Sequence, residues 1–410
     1  MARKDSNCSF CGRSSSQVEL MISGITGNIC NICVEQAQLI ADESKKTNKP
    51  KPSLKKNTLK PIDIKHGLDE YVIGQEDAKK VLSVAVYNHY KRLDFDVSRQ
   101  MDEVEIEKSN IIMVGRTGTG KTLLAKTIAK MLNVPFCIAD ATVLTEAGYV
   151  GEDVESILSR LLQAADYDVA AAERGIVFVD EIDKISRKSD NPSITRDVSG
   201  EGVQQALLKL LEGATVNVPP QGGRKHPEQK MIQVNTKNIL FVCGGAFDGI
   251  EKIIARRVNR QTIGFSSADE SRIDDSNMLQ YISPSDLKQY GLIPELIGRF
   301  PSLTYLEPLN AASLKLILTE PKNALVKQYI KLFELDGITL QFTDEALDYM
   351  VAKAIEYGLG ARGLRTICEA ILTQDMFDAP SSKKNDVLII SGDYAKEQLS
   401  KSKLETLKVA

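Results

Sequence analysis

The sequence predicts an α/β protein in which a parallel sheet flanked by helices binds a nucleotide, joined to a smaller, mainly helical domain and an N-terminal zinc module. Three observations support this prediction. Four of the seven cysteines lie within the first 33 residues of the 410-residue chain. A glycine-rich phosphate-binding sequence follows a short apolar run. Beyond residue 308, apolar residues recur at helical spacing.

Composition and charge exclude several classes of protein. The formal net charge is only −3, which argues against coating nucleic acid through bulk charge. Hydrophobic residues at 42% and charged residues at 26% are typical of a folded globular chain. No apolar run approaches the ~18 residues needed to cross a bilayer, and no secretory signal is recognised. We therefore expect a cytoplasmic protein, or one in an equivalent reducing compartment, whose cysteines do not form disulfides.

The four N-terminal cysteines form two C-x-x-C pairs. Cys8 and Cys11 make the first pair, and Cys30 and Cys33 make the second. Four thiolates at this spacing predict a closed tetrahedral Zn²⁺ site, which stabilises a module too small to bury a core of its own. Two redox C-x-x-C motifs are the alternative. The remaining cysteines are expected to be small buried hydrophobic residues: Cys137, Cys243 and Cys368.

Shifts in composition divide the chain into four segments. Residues 1–44 hold the zinc module, whose net acidic charge favours protein docking over phosphate contact. Residues 45–61 predict a flexible linker that is rich in lysine. Residues 62–308 form the large α/β domain, and residues 309–410 form the small helical domain. Helical spacing occurs there in three amphipathic stretches: Ser313–Leu332, Asp344–Ala354 and Leu364–Phe377.

A phosphate-binding loop follows the apolar run Ile111–Val114, which we interpret as a buried parallel strand. The loop matches the pattern G-x-x-x-x-G-K-[ST] and consists of Gly115, Arg116, Thr117, Gly118, Thr119, Gly120, Lys121 and Thr122. Lys121 is expected to reach the β- and γ-phosphates, and the Thr122 hydroxyl is expected to bind Mg²⁺. An apolar helical face begins at Leu123, so a helix N-terminus adds its dipole to the site. ATP and Mg²⁺ are the predicted cofactors.

A second apolar run, Ile176–Val179, ends in Asp180 and Glu181. Asp180 is the predicted carboxylate that orients Mg²⁺ through water, and Glu181 is placed to polarise the attacking water. An acidic helix N-cap is the alternative, which the upstream phosphate-binding loop disfavours. Phe136–Ala139 is interpreted as the intervening strand. This arrangement indicates a hydrolysing motor rather than a simple kinase.

These motifs resemble the AAA+ ATPases and, more narrowly, the unfoldase subunits of Clp proteases, over nearly the whole chain. Tyr71-Val72-Ile73-Gly74-Gln75 resembles the segment that cups the adenine, which implies that Val72 and Ile73 bind nucleotide. Gly298-Arg299-Phe300 resembles the arginine-finger box, so Arg299 would reach the γ-phosphate of a neighbouring subunit. Gly360-Ala361-Arg362-Gly363 resembles the sensor-2 motif, so Arg362 would contact the nucleotide bound to its own chain.

The resemblance extends to loops for substrate and partners. The pair Tyr149 and Val150, flanked by glycines, is similar to the first pore loop, and Asp190–Ser199 is expected to form a second. The family's basic axial-entrance loop is similar to Arg224, Lys225 and His226. Its peptidase-docking tripeptide is similar to Ile263, Gly264 and Phe265. Taken alone, these segments would be a turn with a packed tyrosine, a solvated charged loop and a core fragment.

The resemblance implies an ATP-dependent unfoldase that acts as a homohexamer. It would take tagged proteins, with adaptor proteins, and deliver them to a Clp-type serine peptidase. Neither G-x-S-x-G nor H-E-x-x-H occurs, so no proteolytic centre is expected. A nucleic-acid motor, such as a helicase or clamp loader with a zinc ribbon, is the main alternative, and a remodeller without a peptidase is another. We expect neither nucleic acid nor membrane as a partner.

One expected feature has no candidate residue. Many AAA+ proteins carry a polar sensor-1 residue at the end of the strand that follows the acidic pair. Here the run Ile239–Val242 ends in Cys243-Gly244-Gly245, so no polar side chain is identified for this position.

Overall fold

The computed structural model divides into two units, Met1–Thr58 and Leu59–Ala410. The residues that the structure describes are 6–47, 59–98, 104, 106–145, 152–187, 200–219, 231–261, 275–381 and 387–402. Across these ranges, no helix combines the length and the apolar character that a membrane span requires.

A hairpin and a helix form the first unit. Its elements are β1 (Met21–Ser23), β2 (Asn28–Cys30) and α1 (Asn31–Thr47). The two strands are antiparallel, and Met21 lies opposite Cys30. The buried residues at its centre are three of the cysteines, against which four apolar side chains pack: Val18, Met21, Ile29 and Ile32. A core of this size is too small to hold a fold without a staple.

The segment predicted as a linker begins and ends in helix. Helix α1 continues to Thr47, three residues into that segment, because lysine has a high helix propensity. Helix α2 (Pro61–Asp69) begins one residue before the predicted start of the large domain. Proline suits this first helical position, since its missing N–H has no partner there in any case. Residues 48–58 of the predicted linker lie outside the described residues.

The large lobe of the second unit alternates strands and helices. After α2 its elements are α3 (Glu76–Ser98), β3 (Ile111–Val114), α4 (Lys121–Leu132), β4 (Phe136–Asp140), β5 (Leu144–Thr145), β6 (Glu152–Asp153), α5 (Ser156–Ala164), α6 (Val169–Ala172), β7 (Ile176–Asp180), α7 (Glu201–Glu212), β8 (Thr215–Val218), β9 (Ile232–Asn235), β10 (Leu240–Gly245), α8 (Ile250–Gln261), α9 (Pro284–Tyr290), α10 (Pro294–Ile297) and β11 (Ser302–Tyr305). Five strands form one parallel sheet in the order β11-β3-β10-β7-β4. The predicted parallel sheet flanked by helices is confirmed.

Both faces of this sheet are buried. Ile112 and Val114 belong to one hydrophobic core, whereas Ile111 and Met113 belong to a second core. None of these four side chains is more than 1% exposed. Burial on both faces explains why β3 is a continuous apolar run rather than an alternating one.

The order of strands in the sheet differs from their order along the chain. Strand β4 intervenes along the chain between the phosphate-binding loop and the acidic pair, as predicted, but it lies at an edge of the sheet. Strand β10 lies between β3 and β7 instead, with Gly245 opposite Val114 and Cys243 opposite Val179. The crossover connections between the strands decide this order. An apolar run in the sequence predicts a strand but does not predict which strands lie beside it. The carboxyl end of β10 therefore lies between the phosphate-binding loop and Asp180.

The small lobe is mainly helical, as predicted. Its elements are α11 (Ala311–Thr319), α12 (Leu325–Leu335), β12 (Thr339–Phe342), α13 (Asp344–Glu356), α14 (Gly360–Asp378), β13 (Val387–Ile390) and α15 (Gly392–Lys401). The amphipathic stretch Ser313–Leu332 is two helices, because Pro321 lacks the N–H that a continuous helix needs. The helices enclose a third core. The division at residues 308 and 309 stays a prediction: Leu306 packs in the second core, and Leu309 packs against the third.

Candidate functional site

The phosphate-binding loop connects β3 to the N-terminus of α4. Gly118 and Gly120 have φ of +86° and +103°, a left-handed conformation that favours glycine. Lys121 is the first residue of α4, which is 12 residues long. Free backbone N–H groups and the positive end of the helix dipole therefore meet at this loop, as an anion site requires.

The Lys121 ammonium is held inside the loop. It donates hydrogen bonds to the backbone oxygens of Gly115 and Arg116. Burial lowers the pKa of Lys121, and the carboxylates of Asp180 and Asp183 oppose that shift. The charged amine is thus kept within reach of the loop by carbonyl oxygens, which phosphate oxygens can replace as acceptors.

The acidic pair at the end of β7 faces the start of α4. Thr122 Oγ1 donates to Asp180 Oδ2 at 3.1 Å, which brings together the two predicted Mg²⁺-binding side chains. Asp180 Oδ1 accepts from the backbone N–H of Glu181 at 3.0 Å. Glu181 has φ of +56° and ψ of +34°, an uncommon conformation for a residue with a side chain. Such strain persists where the surrounding structure imposes it, often at functional sites.

A cavity of about 450 Å³ lies between these motifs and the small lobe. Nine predicted site residues line it: Thr117, Gly118, Gly120, Lys121, Thr122, Leu123, Asp180, Glu181 and Arg362. The other lining residues were not among the predicted site residues: Tyr71, Asp183, Lys184, Ala246, Asp248, Ile317, Pro321, Asn323, Leu325, Ala361 and Arg365. Both lobes therefore contribute to one site of a size suited to a nucleotide.

Several residues predicted to bind nucleotide are not part of this lining. Val72 is 5% exposed and packs in the second core, next to the half-buried Ile73. Thr119 Oγ1 donates to the Arg116 backbone oxygen at 2.8 Å, and the Arg116 side chain pairs with Glu251. Their roles toward nucleotide stay predictions.

Tyr71 lines the cavity in place of its two neighbours in the motif. The ammonium groups of Lys130 and Lys322 lie 5.5 and 5.9 Å from the centroid of its ring, within cation–π range. Lys322 also pairs with the Glu70 carboxylate at 3.2 Å, and its backbone N–H donates to the Glu70 backbone oxygen at 2.8 Å. Tyr71 thus lies where the large lobe and the small lobe meet.

The small lobe presents two arginines to the cavity rather than one. Arg362 and Arg365 lie three residues apart on α14 and therefore share a face of that helix. Arg365 donates to Gln328 Oε1 at 3.1 Å. Arg365 is not part of the sensor-2 motif. Its spacing of three residues from Arg362 on a helical stretch is the sequence feature that could have pointed to it.

Arg299 lies away from the cavity. Its guanidinium is exposed and pairs with Glu212 Oε1 at 2.5 Å. It contributes instead to a separate cavity of about 330 Å³ beside Lys108 and Asn110. Arg299 is therefore not part of the lining of the nucleotide cavity of its own chain, and its role toward the nucleotide of a neighbouring subunit stays a prediction.

The predicted substrate and partner loops lie outside the described residues. This applies to the pore residues Tyr149 and Val150, to Asp190–Ser199, to the basic loop residues Arg224, Lys225 and His226, and to the docking residues Ile263, Gly264 and Phe265.

The four N-terminal cysteines converge on one point. Their sulfur atoms all lie within 4.8 Å of one another. The Sγ atoms of Cys8 and Cys33 are 3.9 Å apart, and those of Cys11 and Cys30 are 3.6 Å apart. Sulfurs around one zinc at ~2.3 Å are about 3.8 Å apart in a tetrahedron, so the donor set fits Zn²⁺.

The thiols of this cluster differ in acidity. Backbone hydrogen bonds, chiefly from Cys11, lower the pKa of Cys8 to about 6. The hydrogen bond with the Cys11 sulfur raises the pKa of Cys33 to about 12. Because Zn²⁺ binds cysteines as thiolates, the metal would displace the remaining thiol protons of this cluster. The other three cysteines are buried hydrophobic residues, as predicted, and burial raises the pKa of Cys137 to about 12.

The parallel sheet, the phosphate-binding loop and the acidic strand end define an ATPase of the AAA class, and the AAA domain model (Cdc48 subfamily) matches residues 106–303. The model of the ClpX C4-type zinc finger matches residues 6–43, and that of the C-terminal D2-small domain of ClpB protein matches residues 309–389. The chain belongs to the ClpX family. The zinc finger match includes all four cysteines and confirms the predicted zinc module.

Curated relatives support the same assignment over almost the full length. The chain is 63% identical over 408 residues to the ATP-dependent Clp protease ATP-binding subunit ClpX of Bacteroides thetaiotaomicron, covering 98% of each chain. It is 63% identical over 406 residues to the protein of the same name from Porphyromonas gingivalis, again covering 98% of each chain.

Proposed function

We propose that the protein is an ATP-dependent unfoldase and translocase, which recognises tagged proteins, unfolds them through a hexameric pore and delivers them to a Clp-type peptidase. The observation that carries this proposal is the position of the nucleotide cavity. The phosphate-binding loop and acidic pair of the large lobe line it together with Arg362 of the small lobe. A nucleotide held by both lobes couples its hydrolysis to their relative rotation.

The cavity residues suit phosphoryl transfer to water. The chain is an ATPase with ATP, Mg²⁺ and Zn²⁺ as cofactors and without a proteolytic site of its own. We assign Lys121 to the β- and γ-phosphates, and Thr122 with Asp180 to the magnesium ion. Glu181 accepts the proton of the attacking water. Mg²⁺, when bound, neutralises charge on the phosphate oxygens.

The exposed position of Arg299 supports the proposal that copies of the chain assemble into a ring. It lies outside the nucleotide cavity of its own chain, so we assign it to the γ-phosphate held by a neighbouring copy. There it stabilises charge that develops in the transition state. A homohexamer would supply one such arginine to each site, while Arg362 acts on the nucleotide of its own chain.

Substrate handling is assigned to segments identified by resemblance. Tyr149 and Val150 grip the polypeptide by van der Waals contact, which needs no particular sequence. Arg224, Lys225 and His226 attract carboxylate-bearing tails to the pore entrance. Ile263, Gly264 and Phe265 dock into the peptidase as an apolar anchor. We place this machine in the cytoplasm.

The zinc module is assigned to protein docking. It carries more acidic than basic residues, and large apolar side chains such as Phe10, Leu20 and Ile25 are exposed on it. An acidic surface repels nucleic acid phosphates, whereas exposed apolar side chains suit protein partners such as substrates or adaptors.

ATP turnover measured with two kinds of polymer tests this proposal. A folded protein with an unstructured tail should stimulate hydrolysis, and the stimulation should persist at moderate salt. DNA should not stimulate it. Stimulation by DNA that collapses between low and moderate salt, without stimulation by the tailed protein, would favour the nucleic-acid motor.

A further inference from the structure

The strand between the phosphate-binding loop and the acidic pair ends without a polar side chain. Strand β10 closes with Cys243, Gly244 and Gly245, and Ala246 follows. This is the place where many AAA+ proteins have their polar sensor-1 residue. Its position between β3 and β7 makes it a natural point of contact with bound nucleotide.

Asp183 occupies the space beside this strand end. It lies in a 3-10 turn, Ile182–Ile185, directly after the acidic pair. Its Oδ1 accepts a hydrogen bond from the Ala246 backbone N–H at 3.1 Å. A Cβ on Gly245 would lie 2.7 Å from that oxygen and 2.5 Å from the Phe247 ring. The glycine thus leaves room for the Asp183 carboxylate, which belongs to the turn that follows the neighbouring strand β7.

The second oxygen of Asp183 has no donor in the described part of the chain. The side chain is fully buried, Oδ2 accepts no hydrogen bond, and yet Asp183 lines the nucleotide cavity. Lys184 Nζ lies 3.6 Å from Oδ2, beyond hydrogen-bond distance, on a side chain that is half exposed. A buried carboxylate oxygen without a donor is unfavourable. Asp183 Oδ2 can therefore accept a hydrogen bond from a donor that the bound ligand supplies.

The chemistry of the ligand indicates which donor that is. A carboxylate can accept but cannot donate a hydrogen bond, so Asp183 is unsuited to direct contact with phosphate oxygens. Mg²⁺ in nucleotide sites keeps several of its water molecules, which are strong donors. The two other acidic residues of the acidic strand end, Asp180 and Glu181, line the same cavity.

We propose that Asp183 is a positioning residue of the ATP site. Its Oδ1 is fixed by the Ala246 N–H, and its Oδ2 accepts a hydrogen bond from a water molecule on the magnesium ion of Mg–ATP. This inference rests on the proposed ATPase function. It gives the end of β10 the polar group that its own sequence lacks.

Binding of Mg²⁺ tests this role without requiring turnover. Asp183→Asn keeps the shape and the acceptor for the Ala246 N–H but weakens the acceptor for water. The half-saturating Mg²⁺ concentration for binding a fluorescent ATP analogue should rise about tenfold or more. Affinity for the analogue in EDTA should not fall, because a negative charge near the phosphates is removed. The matched control Asp336→Asn, at the exposed end of α12, should titrate like the wild type.

Two outcomes would overturn the proposal. One is an unchanged Mg²⁺ titration in a variant that melts like the wild type. The other is an equal loss of affinity with and without Mg²⁺, which would indicate a purely structural role. If Asp183→Asn does not fold, the smaller Asp183→Ser is measured in the same way and against the same outcomes. Failure of protein unfolding by the wild type would count against the proposed function but not against this one, since the titration requires only nucleotide binding.

Discussion

At the scale of single residues, we assign nucleotide binding and hydrolysis to two neighbouring residues of the acidic strand end. Asp180 is tied to Thr122 by a hydrogen bond of 3.1 Å, whereas Glu181 is held in a left-handed conformation beside it. A left-handed residue with a side chain costs roughly 1 kcal/mol or more. The fold maintains that cost at the residue to which we assign the proton of the attacking water.

Glu181→Gln should bind ATP and assemble like the wild type but hydrolyse at least ~100-fold more slowly, because an amide does not accept the proton. Nucleotide affinity and phosphate release are the two measurements. Glu334→Gln, the same change at an exposed position of helix α12, serves as the control. Brisk hydrolysis by the Glu181 variant would remove the assignment.

Tyr149→Ala should hydrolyse ATP normally and unfold protein poorly, because the grip of the pore on its substrate is lost. Tyr149→Phe keeps the aromatic face and should retain most of the unfolding rate. Both rates are measured on the same preparations. Equal unfolding by the alanine variant and the wild type would rule out the pore role.

Site residues that belong to a contiguous sequence motif were predictable from the sequence. Site residues that only the fold brings to the cavity were not. Lys121, Thr122, Asp180 and Arg362 each belong to a short pattern that names its chemistry, and all four line the cavity. Asp183, Asp248 and Lys322 are ordinary charged residues in sequence. Only the folded chain brings them to the cavity or to Tyr71.

At the scale of elements, the positions of strands were easier to predict than their order. Buried parallel strands are short apolar runs, so Ile111–Val114 was predicted with its observed bounds. The place of β10 between β3 and β7 depends on crossovers that no local pattern encodes. The break at Pro321 in the stretch Ser313–Leu332, by contrast, follows from a local rule, because proline lacks the N–H that a continuous helix needs. This break was predictable from the sequence, although the stretch was predicted as one amphipathic segment.

Gly245→Ala should destabilise the large lobe by about 1–3 kcal/mol, because the added Cβ would lie 2.5 Å from the Phe247 ring and 2.7 Å from Asp183 Oδ1. Gly298→Ala is the stability control, since its Cβ would meet its nearest neighbours at 3.5 Å, an ordinary contact distance. Denaturant melts compare the two. Equal stability of both variants would show that the end of β10 is less crowded than described.

At the scale of the whole molecule, the two units have separate sources of stability. The first is built around cysteines, whereas the second has three apolar cores of its own. Removal of zinc should therefore unfold the first unit alone.

Deleting Met1–Thr58 should spare basal ATP turnover, because the ATP cavity is lined entirely by residues of the second unit. The cut also keeps the Lys60 N–H that donates to Asp63 at the start of α2. Turnover of the truncated and full chains is compared at equal concentration. A folded but inactive truncation would contradict the separation of the two units.

We propose that ATP hydrolysis in the cavity between the lobes drives the unfolding of substrate proteins. It is tested most directly with a stably folded fluorescent protein that bears a short unstructured tail, mixed with the full chain and ATP. We expect a loss of fluorescence that requires hydrolysable ATP and disappears with Glu181→Gln. Sustained ATP hydrolysis by the wild type with fluorescence fully retained would contradict it.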